Sequence, residues 1–251
     1  MRFGLAGLIT FFILPLFSIL SFASEKEANA AFDEKKYELA LKLHLAEASK
    51  GNASSQFMLG RIYNNGLGTP KNPIKAKHWY EKAAEQNDRL SLFNLGVMHL
   101  YGQGIPKDPD KALALFTQGH ELGSSFCSEA LARIYIYGEG GIPKDIEKAK
   151  FYLMFGVEEG MPISLYLFAQ MYLHGVGYPQ NEYRAALLFA ESANAGLQKA
   201  KDEIKRIESN VGMPLEAYLK KTYNHTQPLK NIKICPTPSA RRYKCTITWQ
   251  D

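Results

Sequence analysis

The residues of this chain that could do chemistry are three cysteines, six histidines and a series of Gly-x-Gly pairs. The pairs (Gly66 and Gly68, Gly102 and Gly104, Gly138 and Gly140, Gly175 and Gly177) could cradle a phosphate on backbone N–H groups. A nucleotide loop of that kind follows a strand, whereas these glycines follow stretches of helical periodicity, so the reading fails on context. The histidines (His44, His78, His99, His120, His174, His225) occupy unrelated positions and read as surface or core residues rather than metal ligands or bases. G-x-S-x-G, S-x-x-K and H-E-x-x-H are all absent. The chain therefore reads as no enzyme, with no catalytic residue, no metal and no cofactor. Cys235 and Cys245 stand on either side of a short loop, with Ile232 and Ile234 before it and Ile247 and Trp249 after it in strand-like alternation. That predicts a β-hairpin over 231–250 closed by a Cys235–Cys245 disulfide, worth about 2–3 kcal/mol. Cys127 reads as a buried thiol.

The glycine pairs belong to a larger pattern. Gly60, Gly66, Gly68, Pro70, Asn72, Lys75 and Ala76 return about 36 residues later as Gly96, Gly102, Gly104, Pro106, Asp108, Lys111 and Ala112. They return again around Ala132, Gly138 and Ala149, and around Ala169, Gly175 and Ala185. A period of this length means a solenoid. Each copy divides into two amphipathic helices, with apolar residues at i, i+3 and i+4. Gly66 stops the first helix, Pro70 forbids its continuation, and Asn72 caps the second, with Pro73 in its first turn. The alanines at 76, 112, 149 and 185 allow close helix approach, and the large residues beside them fill the layers.

The pattern L-G-x-x-Y-x-x-G-x-G, then P-K-D/N, then K-A-x-x-W/Y resembles the Sel1-like repeat, a cousin of the tetratricopeptide repeat. Copy one carries it as Leu59-Gly60, Tyr63, Gly66, Gly68, Pro70-Lys71-Asn72, Lys75-Ala76 and Trp79-Tyr80. The resemblance implies an all-α, right-handed superhelix, with repeats at 53–88, 89–124, 125–161 and 162–197. Residues 33–51 read as a lone second helix capping one end, and 198–210 as a lone first helix capping the other, so the solenoid spans 24–212. Residues 213–251 form a basic tail with the small hairpin. Departures are mild: His99 replaces the tyrosine of copy two, and copy three has an extra glycine at Gly141.

Residues 1–23 read as a signal peptide, with Arg2 as the positive end, an apolar run to Phe22, and Ser21-Phe22-Ala23 as the cleavage signal. An uncleaved membrane anchor is the alternative. Either way the body leaves the cytosol, which points to a periplasmic or secreted protein of a bacterial envelope. The net charge of +5 is too small to argue nucleic-acid binding. Lys220, Lys221, Lys230, Lys233, Arg241, Arg242 and Lys244 follow one another without an acid between them. That stretch suits either weak contact with an anionic surface or plain solvation.

The resemblance also implies that first helices line the concave side. The slots carried over are apolar for a solvated groove: Phe57, Phe93, Tyr101, Phe126, Tyr137 and Tyr166, with Arg61 and Arg133 among them. Aromatics and arginine dominate binding energy at protein interfaces. The expected function is a non-catalytic scaffold that binds a protein or peptide segment in this groove, the arginines meeting carboxylates. The alternatives are that these side chains pack between repeats, or that the tail fills the groove. Some secreted relatives are described as penicillin-binding or weak β-lactamases, which is the runner-up function.

Overall fold

The computed structural model describes residues 24–223, and its elements are helices: α1 (Glu25–Asp33), α2 (Tyr37–Ser49), α3 (Ala53–Asn65), α4 (Pro73–Ala84), α5 (Arg89–Tyr101), α6 (Pro109–Glu121), α7 (Ser125–Tyr137), α8 (Ile146–Glu158), α9 (Pro162–His174), α10 (Glu182–Asn194), α11 (Gln198–Val211) and α12 (Leu215–Tyr223). A single 3-10 turn, Glu139–Gly141, separates α7 from α8. Consecutive helices pack as hairpins, and each hairpin stacks on the next. Within the four repeats, successive first helices also touch one another (α3 with α5, α5 with α7, α7 with α9), more than the second helices α4, α6, α8 and α10 do. The row of first helices thus lies on the shorter, inner side of the stack.

The repeats share one layer of small and large side chains. Ala76, Ala112, Ala149 and Ala185 are fully buried, and beside them Tyr80, Phe116, Leu153 and Phe189 fill the interior. Across the hairpin, a Cβ on Gly60 would fall inside the Tyr80 ring, and one on Gly96 inside the Phe116 ring. The glycines therefore make room for aromatic rings in copies one and two. Copy three uses Ala132 with the smaller Leu153, and copy four keeps the Phe189 ring with Ala169, all of them buried.

The loops are equally regular. Gly66, Gly102, Gly138 and Gly175 end their helices in the left-handed conformation, at φ 71°, 67°, 73° and 67°, where a side chain would clash. The cap side chains of Asn72, Asp108, Asp145 and Asn181 accept from the backbone three residues on. Their own N–H groups donate back to the carbonyls of Tyr63, His99, Tyr135 and Tyr172 at 2.8–3.0 Å. Each connection is thereby tied to the helix it leaves. The extra residue of copy three leaves this tie intact and is taken up by the 3-10 turn, with Gly140 and Gly141 both at positive φ.

Both ends differ from the sequence expectation. Residues 33–51 do not stand as a lone helix, because α1 precedes α2 and packs against it. Ser24 and Glu27 form a capping box that starts α1, and Ala28 and Ala31 are buried in the contact. The short loop, with Lys35 at φ 60°, hides this pair from the repeat pattern. At the other end, α12 packs on α10 and α11. Leu215, Tyr218 and Leu219 cover apolar surface beside Ile207, so the helical body runs past residue 212. The leader at 1–23 and the hairpin with Cys235 and Cys245 lie outside the described residues.

Candidate partner-binding face

The inner face carries four rows of side chains, one residue per repeat in each. Ser54, Leu90, Phe126 and Ile163 start the helices, and Leu90, Phe126 and Ile163 are 40%, 45% and 39% exposed. One turn on come Phe57, Phe93, Glu129 and Tyr166, then Arg61, Val97, Arg133 and Gln170, and at the far end Asn65, Tyr101, Tyr137 and His174. Helical geometry puts residues three and four apart on one face, which is why the rows align.

Exposure separates these positions into two kinds. Phe57, Phe93 and Tyr166 are half-buried and lay their rings on Tyr80, Phe116 and Phe189 at centroid distances of 6.1, 6.0 and 5.5 Å. They belong as much to the core as to the groove. Leu100, next to Tyr101 on α5, is 2% exposed and wholly core. Tyr101, Phe126 and Tyr137 are close to half exposed, at 45–49%. Phe126 leans on Phe93 at 5.9 Å, so the groove and the core are joined through tilted ring contacts.

The two arginines also differ. Arg61 lies over Phe32 of α1 at 5.0 Å and over Phe57 at 5.7 Å, and has no carboxylate partner among the described residues. Arg133 is already engaged. It donates to both oxygens of Glu139 at 2.8 and 3.0 Å and to the Tyr101 hydroxyl at 3.3 Å. Tyr101 in turn donates to Glu139 at 2.5 Å. Burial and the Glu139 hydrogen bond together push the Tyr101 phenol up. Glu139 escapes a reading of the repeat pattern because its position is Leu67, Gln103 and Val176 in the other copies. The extra glycine beside it was the one available signal.

Glu129 is the remaining charge on the face. It is 9% exposed, and burial pushes its carboxyl up to about 7 against the pull of Arg133. Among the described residues no group of three side chains could hold a metal ion. Cys127 is a free, buried thiol, pushed up to about 11 by burial.

Stacked hairpins with an aromatic inner face define a helical repeat scaffold. The chain belongs to the Sel1 repeat family, whose model matches residues 53–88, 89–124, 128–153 and 162–197. Such repeats form scaffolds that generally engage other proteins and are typically not catalytic. Among solved structures, the chain is similar to a Sel1 repeat protein from Oxalobacter formigenes, at 25% identity and a TM-score of 0.69 over 80% of this chain and 83% of that one. It is also similar to c5321, a protective antigen of uropathogenic Escherichia coli displaying an SLR fold, at 26% identity and a TM-score of 0.64 over 76% of this chain and 42% of that one. The immunity protein Pa5087 from Pseudomonas aeruginosa shares the fold, at 17% identity and a TM-score of 0.52 over 79% of this chain and 81% of that one. Among curated proteins nothing matches the chain.

Proposed function

We propose that the protein is an exported, non-catalytic scaffold whose inner face holds an extended segment of a partner protein. The observation that carries this reading is the exposure of Tyr101, Phe126 and Tyr137 on neighbouring first helices. Large rings left half in water on one inner face are costly unless something covers them, and rings of this kind anchor interfaces. Arg61 supplies a cation without an internal carboxylate, so an acidic residue of the partner belongs near copy one. Arg133 drops out of that role because Glu139 already satisfies it. The apolar leader supports export to a bacterial periplasm or beyond, and a basic tail suits weak contact with an anionic envelope surface.

The test replaces Tyr101, Phe126 and Tyr137 with serine together. Circular dichroism and thermal melting should stay close to those of the parent, because none of the three is fully buried. A photo-crosslinker at Val97 should trap a protein from the native envelope in the parent and lose it in the triple variant. Undiminished crosslinking would refute the groove, and mass measurement of the exported chain checks loss of residues 1–23.

A further inference from the structure

One repeat breaks the aromatic row. Where Phe57, Phe93 and Tyr166 each lay a ring on the large residue of the second helix, copy three has Glu129, with Leu153 at the position of the underlying ring. Glu129 is 9% exposed and has no hydrogen-bond or ion-pair partner among the described residues. Arg133, one turn along the same helix, turns instead to Glu139 and Tyr101. A buried carboxylate without a partner is unfavourable until a cation meets it. Arg133, the cation that acts on it, is bonded to Glu139, and the fold places the Glu129 carboxylate on the inner face. Phe126 stands one turn before it and Tyr137 two turns after it on α7, both close to half exposed. Ring faces beside an acceptor are what hold an ammonium or guanidinium, the rings taking the stem and part of the charge.

Building on the reading of the inner face as a partner groove, we propose that copy three seats a lysine or arginine side chain of the partner segment, with Glu129 as its acceptor. The charges of the groove then have an order: Arg61 in copy one asks for an acid and Glu129 in copy three asks for a base. At roughly 10 Å per helix layer the two sites lie roughly 20 Å apart. About six residues of extended chain span that distance. The proposed occupant is therefore a bipolar strand of protein, acidic toward the α3 side and basic toward the α7 side.

The experiment pans random peptides of about twelve residues, displayed on phage, against the full chain and against its Glu129→Gln variant in parallel. Thermal melts establish that the variant is folded. The parent should enrich sequences sharing a basic residue at one position. A synthetic consensus peptide should bind about tenfold more weakly when that residue becomes alanine, and by a similar factor to Glu129→Gln, with no further loss when both changes are combined. Enrichment without a shared basic residue, or unchanged affinity for Glu129→Gln, overturns this inference and leaves the groove standing. Peptides that bind the Tyr101, Phe126 and Tyr137 serine variant as well as the parent, or no enrichment at all, overturn the groove and this inference together. Enrichment that appears only after Lys230, Lys233, Arg241, Arg242 and Lys244 are changed to glutamine makes the chain's own tail the occupant and overturns the partner assignment.

Discussion

Glu139 meets Arg133 at 2.8 Å, and the contact exists because copy three carries one residue more than its neighbours. The added glycine lets the loop fold into a 3-10 turn after α7. That turn holds the carboxylate at the edge of the inner face, where Tyr101 also donates to it. A repeat position that looked able to bind an acid is thereby closed from within.

Removing the carboxylate should reopen it. Glu139→Ala frees Arg133 and the Tyr101 hydroxyl. Both partners are partly exposed, so the loss of stability should be about 1 kcal/mol or less. The larger effect should be on recognition, with tighter binding of acidic segments and a steeper salt dependence. Urea titration and binding measured at low and moderate salt check the two parts separately.

The glycine–ring rule gives a sharper structural test. Gly60→Ala drives a methyl into the Tyr80 ring and should cost about 1–3 kcal/mol by overpacking. Pairing it with Tyr80→Leu copies the arrangement of Ala132 and Leu153 and should recover part of that loss. Denaturant unfolding of the two single variants and the double gives the coupling energy.

Acid should weaken the fold through its buried and half-buried imidazoles. Burial lowers the pKa of His44, His99 and His120; nearby Glu25 opposes this at His44, without overcoming it. The unfolded chain, with histidines near about 6.5, then binds protons that the folded chain does not. Stability from these groups is complete above about pH 6.5 and drains away as pH falls toward their folded values. His44 occupies the place held by Tyr80, Phe116 and Phe189 in the repeats, so His44→Phe should flatten the acid limb. Melting temperatures across pH 5 to pH 8 would show no such limb if the histidines were solvated.

Glu129 runs the other way. Its folded carboxyl titrates near 7, above its unfolded value, so its contribution is full at low pH and is lost as pH rises through 7. Glu129→Gln should accordingly stabilise the free protein at pH 8 by about 2 kcal/mol and change little at pH 5. Chemical denaturation at the two pH values separates this from the histidines, because the two effects have opposite slopes.

Cys127 should behave as an inert core thiol. It is fully buried, and Gly119 sits so close that a Cβ there would overlap its sulfur. A thiol titrating near 11 has little thiolate at neutral pH. Ellman's reagent should reach it at the rate of unfolding, and Gly119→Ala should speed that reaction by loosening the contact.

Much of this fold was legible residue by residue. Each first-helix stop at a left-handed glycine, each Asn or Asp cap and each pairing of alanine with a large apolar residue depends on groups only a few positions apart, and the period repeats them four times. The same locality explains what stayed hidden. The pairing of α1 with α2 follows no repeat motif, because its loop is shorter than the others. Whether Phe93 is groove or core, and whether Arg133 is available or spent on Glu139, turns on neighbours supplied by other helices and by a loop one residue longer than its siblings. Periodic sequence dictates which side chains share a face, since helical geometry is set by the backbone. Which of those side chains still need a partner is set by how the hairpins stack, since burial and charge pairing arise between elements and not within them.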